Sequence, residues 1–224
     1  MVATEYGKSF DFDDFMQELE IAFVNYKVPV VTLIALQEKD PFKVLISTML
    51  SARTKDEVTI AASRRLYAVA DTPEKLSKLG VGEIEKLIYP TGFYKTKAPK
   101  IKAAAQRMID DYSGKVPDDM DELLKFDGVG RKTANLVLGE AFRKNAVCVD
   151  THVHRISNRL GIMETKNPFE TEMILRDILP EKYWITYNTF LVAHGQSVCN
   201  PVSPKCSECK IIKFCRKVGV DRSR

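Results

Sequence analysis

The chain has 224 residues, 45% hydrophobic and 29% charged, with a formal net charge of +4. That length and balance suit one large or two small globular domains with a real core, and exclude disordered and fibrous classes. No apolar run approaches the ~20 residues of a membrane helix, and the N-terminal stretch has no basic start leading into an apolar segment, so a cytoplasmic protein with no membrane partner is expected.

Helical periodicity dominates in chain order. Residues 12–26 space Phe12, Phe15, Leu19 and Ala22 for one buried face. Residues 41–52 open on Pro41, a favourable first helical position. Helices over 55–70, 72–80 and 81–90 follow, punctuated by Gly and Pro, and an Ala-rich one over 97–114 ends at a Gly. Further helices are expected at 131–143, 152–160, 168–178 and 182–194. The β-like run "AVCV" (146–149) is too short and isolated to build a sheet, so the fold class is all-α. Charge is unevenly spread: residues 1–40 hold three basic and eight acidic side chains, and residues 199–224 hold seven basic and two acidic. The stretch 94–107 carries five cations and no acid. Such patches suit a polyanion, though solvated helix surfaces look the same.

The stretch "LLKFDGVGRKTANLVLGEAF" (123–142) carries more information. Leu123 and Phe126 precede a Gly128-Val129-Gly130 turn, and Ala134, Val137 and Leu138 follow it, which reads as helix–tight turn–helix. Glycine accepts φ > 0 and lets another backbone come close. The amides of such a turn and of the helix start form a concave donor site for one phosphate, with Arg131 and Lys132 as companions of the anion. A helix C-cap followed by a new helix would show the same two glycines.

Lys132 in a first helical turn is ordinarily solvated, and Asp150 opening "DTHVHRI" is most simply an N-cap. Chain geometry relates them. From Lys132 to Arg143 a helix advances about 17 Å, and an extended "KNAVCVD" can return up to ~20 Å, so reversal at Lys144-Asn145 brings Asp150 back beside Lys132. A lysine near a carboxylate at a phosphate-binding turn fits one chemistry. A neutral amine attacks C1′ of a nucleoside, displaces the base, and leaves an iminium that acidifies the neighbouring carbon so that the 3′ phosphate departs. A positive helix end, Arg131 and partial burial all favour the neutral amine. Asp150 would stabilise positive charge on the sugar and move protons.

Near the C-terminus Cys199, Cys206, Cys209 and Cys215 are spaced C-x6-C-x2-C-x5-C. Four thiols in so short a span point to an iron–sulfur cluster or zinc rather than disulfides. Cys148, the fifth cysteine, reads as a small buried hydrophobe. A closed four-thiolate site would fix the tail and present Lys205, Lys210 and Lys213 on one surface.

Three motifs, "FDGVGRKTANLVLGEAF", "VCVDTHVHRISNRLG" and the cysteine spacing, together resemble the endonuclease III family, the iron–sulfur branch of the helix–hairpin–helix DNA glycosylases. The resemblance runs from about residue 12 to Cys215. It implies two helical domains flanking a DNA-binding groove: a helical barrel over 34–144 with the helix–hairpin–helix at about 123–143, and a discontinuous domain of 1–33 and 145–224 holding a [4Fe-4S] cluster in loop 199–215. It further implies a base-excision repair glycosylase with abasic-site (AP) lyase activity on double-stranded DNA, removing oxidised pyrimidines and cleaving 3′ to the abasic site. Lys132 would be the Schiff-base nucleophile, Asp150 its acidic partner, and Gly128, Val129, Gly130, Arg131 and Thr133 the backbone grip. A monomer is expected, nucleoid-associated if the source is prokaryotic.

Arg53 in "MLSAR" and Phe93 in "TGFY" match positions that fill the gap left by an extruded base, where the family commonly has Gln and Leu. A solvated cation and a core aromatic are the plain alternatives. Asp127 replaces the common Pro, an anion beside a phosphate turn. His152 could orient the acid or the DNA or be merely structural, Lys205 is a further DNA contact, and His194 is placed near the cluster. A mismatch or pyrimidine-dimer glycosylase, or a non-catalytic iron–sulfur DNA-binding module, would share much of this pattern, although mismatch enzymes typically lack the lysine.

Overall fold

The computed structural model describes residues 2–224. A two-residue strand, β1 (Val2–Ala3), leads into α1 (Glu5–Lys8) and α2 (Phe12–Phe23). Then come α3 (Val30–Glu38), α4 (Pro41–Ser51), α5 (Asp56–Val69), α6 (Pro73–Lys78), α7 (Val81–Ile88), α8 (Tyr94–Tyr112), α9 (Met120–Leu124) and α10 (Arg131–Phe142). The chain closes with α11 (Thr151–Leu160), β2 (Met163–Glu164), α12 (Pro168–Ile178), α13 (Trp184–Ser197) and short 3₁₀ turns at Cys206–Glu208 and Ile212–Phe214. The all-α reading holds apart from the small antiparallel β1–β2 pairing, too short to leave a periodic signal. Among the described residues no helix is long and apolar enough to cross a membrane.

The chain divides into two compact units, Pro29–Lys144 and the combination of Met1–Val28 with Asn145–Arg224. The first break falls before α3, not at residue 34. The β-branched "VVTLIALQE" run gives no clear helical stripe, yet it forms α3, buries Val30, Val31 and Ile34, and packs on α4 and α10.

In the 29–144 unit, local signals explain the helix starts. Asp40 caps α4 by accepting from the Phe42 N–H at 2.9 Å, with Pro41 at the first position. Thr72 caps α6 in the same way, again ahead of a proline. The helix expected at 97 begins three residues earlier: the Thr96 and Lys97 N–H groups bond the Phe93 carbonyl at 3.0 and 2.9 Å, so the first turn forms ahead of Pro99. Leu45, Leu50, Leu66, Leu76, Ile84 and Ile101 are fully buried in this unit.

In the discontinuous unit, α2 buries Phe12, Phe15, Met16, Leu19 and Ala22 as the periodicity requires. Phe12, Phe15, Met16 and Leu19 join Val147 and Val149 from the return segment, Val153, Ile156 and Leu160 of α11, and Tyr187 and Leu191 of α13. The segregated charges meet here. Lys213 bonds Asp14 and Glu18 at 3.2 and 2.9 Å, and Lys182 bonds Asp13 at 2.7 Å. Lys213 is exposed, as the tail-surface expectation has it, and is held there by ion pairs within the unit.

Candidate active site

The turn between α9 and α10 is built by its glycines. Asp119 caps α9, accepting from the Asp121 and Glu122 N–H groups at 2.9 and 3.1 Å. The chain reverses with the Val129 N–H on the Phe126 carbonyl at 3.0 Å while Gly128 adopts φ +86°. A Cβ at Gly128 would meet the Lys100 side chain at 3.1 Å. Gly130 differs: its backbone is extended (φ −101°, ψ 177°), and an added Cβ would meet nothing within 4 Å. The protein therefore needs Gly128 for its own fold, whereas Gly130 leaves open space at the head of α10, where it gives no side-chain cap. Leu123, Phe126, Val129, Ala134 and Val137 hold the two helices together from beneath.

Val129 is consequently buried, and only its backbone can serve a ligand. Gly128 and Gly130 are exposed, Arg131 and Thr133 half-buried. Lys132 is exposed, not partly buried as expected, because α10 turns Ala134, Val137 and Leu138 to the core and Lys132 away from them. Asp127 is explained by a partner: its carboxylate takes the Lys100 ammonium at 3.0 Å, at the surface of the turn.

Arg53 and Phe93 come together in the same unit. Both are exposed, with Phe93 60% accessible, and the Arg53 guanidinium lies 5.4 Å from the Phe93 ring centre. A core role for Phe93 is thereby removed. Four of the five cations in the 94–107 stretch have partners within the unit. Lys97 is turned inward, Lys102 bonds the Leu79 carbonyl, Lys100 bonds Asp127, and Arg107 bonds Asp111 and the Lys125 carbonyl. Spacing along one helix cannot show that cations serve neighbouring carbonyls.

In the discontinuous unit, Asp150 is the N-cap of α11: one carboxylate oxygen accepts from the His152 and Val153 N–H groups at 2.8 and 2.9 Å. The second oxygen takes no part in either cap bond. His152 Nδ1 lies 3.1 Å from the Arg155 guanidinium, which also donates to the Cys199 carbonyl at 2.8 Å. Lys132 and Asp150 belong to different units, and each is placed here within its own.

Cys199, Cys206, Cys209 and Cys215 line one pocket whose other walls include Ile156, Leu160, Val198 and Ile211. Among the described residues no three His, Cys, Asp or Glu groups stand close enough to hold a single metal ion. Four thiols around one largely apolar pocket are a donor set suited to a metal centre, an iron–sulfur cluster or zinc. Donors are in place for thiolate charge. Arg159 donates to Cys199 Sγ at 3.3 Å, and the Lys217 N–H donates to Cys215 Sγ at 3.4 Å. Burial, reinforced by the neighbouring thiols, pushes the Cys209 thiol up to about 11, a cost that a bound metal cation reverses. His194 is where expected, with Nε2 3.7 Å from Cys209 Sγ. Burial and Arg155 depress it to about 4, so it is neutral. Lys205 lies beside the pocket and pairs with Glu208 at 3.6 Å. The sequence reading missed Arg155 and Arg159. Their i, i+4 spacing on one helix face was the available signal.

The family model of HhH-GPD superfamily base excision DNA repair proteins matches residues 46–181. Endonuclease III of Thermotoga maritima is 48% identical over 179 residues, covering 80% of this chain and 84% of that one. Endonuclease III of Bacillus subtilis is 37% identical over 183 residues, covering 81% and 84%. A solved non-covalent endonuclease III–DNA complex superposes with a TM-score of 0.81 at 34% identity, covering 90% of this chain and 92% of that one. A trapped endonuclease III–DNA covalent intermediate also gives 0.81, covering 91% and 93%. With an open glycine turn, an exposed lysine at its helix head and a four-thiol pocket on the other unit, the chain belongs to the endonuclease III family of the HhH-GPD superfamily.

Proposed function

We propose that this chain is a base-excision repair glycosylase with AP lyase activity on duplex DNA carrying oxidised or ring-saturated pyrimidines. The observation that carries the reading is the hairpin: open space over Gly130 and an exposed Lys132 two residues later, so that a gripped backbone phosphate brings its nucleotide to an amine. Lys132 Nζ attacks C1′ as the bond to the base breaks, and the base leaves with a proton. The sugar ring opens to an imine on Lys132, and loss of a C2′ proton then expels the 3′ phosphate. Asp150 stabilises the positive charge that develops on the sugar and moves protons, using a carboxylate that the cap bonds already orient. Arg53 and Phe93 enter the duplex where the nucleotide has left the stack. Cys199, Cys206, Cys209 and Cys215 hold a [4Fe-4S] cluster that fixes residues 199–215 as a rigid loop.

Borohydride added to the protein with an abasic duplex tests the reading. A covalent adduct is expected from the native chain and none from Lys132→Ala. Failure of the native chain to form it would favour a non-catalytic DNA-binding module.

A further inference from the structure

Lys97 is a buried cation whose partners include no carboxylate. It is 9% exposed, and its ammonium donates to the Leu50 carbonyl at 2.6 Å, the Ala52 carbonyl at 2.7 Å and Thr54 Oγ1 at 3.1 Å. Three N–H groups meet three acceptors. The two carbonyls belong to the C-terminal end of α4, the negative pole of a helix, which suits a cation. Burial lowers Lys97 to about 8, which leaves the ammonium in the majority at neutral pH.

The position of these acceptors matters more than the charge. Leu50, Ala52 and Thr54 bracket Arg53, which stands at φ +53°. Thr54 Oγ1, held by Lys97, also accepts the Gly92 N–H at 3.0 Å. Gly92 lies so close that a Cβ there would sit 2.4 Å from the Arg53 carbonyl oxygen. Next to it stands Phe93 at φ +58°, whose carbonyl accepts the backbone N–H of Lys97 itself at 2.9 Å. One residue thus grips the Phe93 turn with its main chain and the Arg53 turn with its side chain. Thr54 stitches the two turns to each other.

We infer that Lys97, acting with Thr54, is a positioning residue that locks the Arg53 and Phe93 turns into a single rigid wedge, so that guanidinium and ring enter the base stack together. This rests on the proposed role of Arg53 and Phe93 in the duplex. A wedge of two separately moving loops would order on entry, at the cost of base extrusion. A pre-assembled one has little left to order.

The test is stopped-flow fluorescence of 2-aminopurine placed beside a dihydrouracil, in a fully paired duplex and in one with the lesion inside a mismatched bubble. Lys97→Met removes the side-chain grip on Leu50, Ala52 and Thr54, Thr54→Val removes the stitch to Gly92 together with the third acceptor of Lys97, and Thr54→Ser keeps the hydroxyl. On the paired duplex, Thr54→Val and Lys97→Met should slow the fluorescence rise at least about tenfold, since small misplacements of positioned groups cost that much or more. Thr54→Ser should match the native chain. In the bubble, where unstacking is already done, the deficit should largely vanish. An equal deficit on both duplexes would show a merely structural role and overturn the inference. Arg53→Ala and Phe93→Ala separate the two claims. If they leave the paired-duplex rise unchanged, the wedge itself fails, and the inference with it. If they slow the rise while Thr54→Val runs at the native rate, the tie alone fails.

Discussion

Replacing each hairpin glycine by alanine should produce opposite defects. At Gly128 the backbone stands at φ +86°, a region that costs an L-residue about 1–2 kcal/mol. The Lys100 side chain 3.1 Å from the new methyl is flexible and yields, so the dihedral sets the cost. For a chain of this size each kcal/mol lowers Tm by roughly 2–4 °C, giving a fall of about 2–8 °C. At Gly130 the backbone is extended and the space is open. Alanine there gains about 0.4–1 kcal/mol by restricting the unfolded chain and loses a similar amount as a poorer N-cap, so Tm should hardly move. The methyl, however, occupies the space through which a phosphate reaches the amides of the turn. Hydrogen bonds to a charged group are worth about 1.5–3 kcal/mol, so affinity for an abasic-analogue duplex should fall roughly 10- to 100-fold. Thermal unfolding and fluorescence anisotropy at fixed salt read the two effects. Native affinity in Gly130→Ala would refute the claim that the open glycine is where the backbone is gripped. An unchanged Tm in Gly128→Ala would refute the division of labour between the two.

Asp150→Asn should keep the α11 cap, because Asn caps as well as Asp, yet slow base release on the order of 10²–10⁴-fold; Asp150→Ala should add a loss of about 1 kcal/mol in unfolding free energy. Cys206→Ser should abolish the visible absorption and acid-labile sulfide of a bound cluster and render residues 199–215 sensitive to protease, without unfolding the 29–144 unit. Arg131→Ala should reduce the slope of log affinity against log salt by about one, as expected when a single phosphate is deprived of its cation.

Motifs defined by backbone chemistry were legible, because their residues act close to where they stand in sequence. The glycine turn and the Asp150 cap are of this kind: each needs only a few adjacent positions and one local conformation; the four thiols were legible from their spacing alone, although α11 walls their pocket. Burial of Phe12, Phe15, Leu19 and Ala22 was legible for the same reason, since a single helical face carries it. What sequence could not show depends on partners far along the chain. Lys97 meets carbonyls more than forty residues away, Arg155 and Arg159 meet Cys199, and α3 is helical because α4 and α10 cover it, despite a β-branched composition. Lys132 looked partly buried because an apolar helix surrounds it in sequence. Periodicity places it on the outer face.

The left-handed residues Arg53 and Phe93 differ from those that end helices. Lys39, Ser113 and Arg143 have positive φ at helix C-caps, where the left-handed residue lets the cap N–H reach back to Ala35, Met108 and Leu138. Their strain is offset locally. Arg53 and Phe93 have φ in the same range without that compensation: one lies beyond the end of α4, the other at the start of α8, where an N-cap is normally extended. Such conformations persist when the surroundings over-determine them, and here the surroundings are Thr54, Gly92 and the buried ammonium of Lys97. A fold that only needed to end one helix and begin another could have used glycine at both sites. Keeping a guanidinium and a ring there, exposed and stacked, makes sense when both are to be inserted into something.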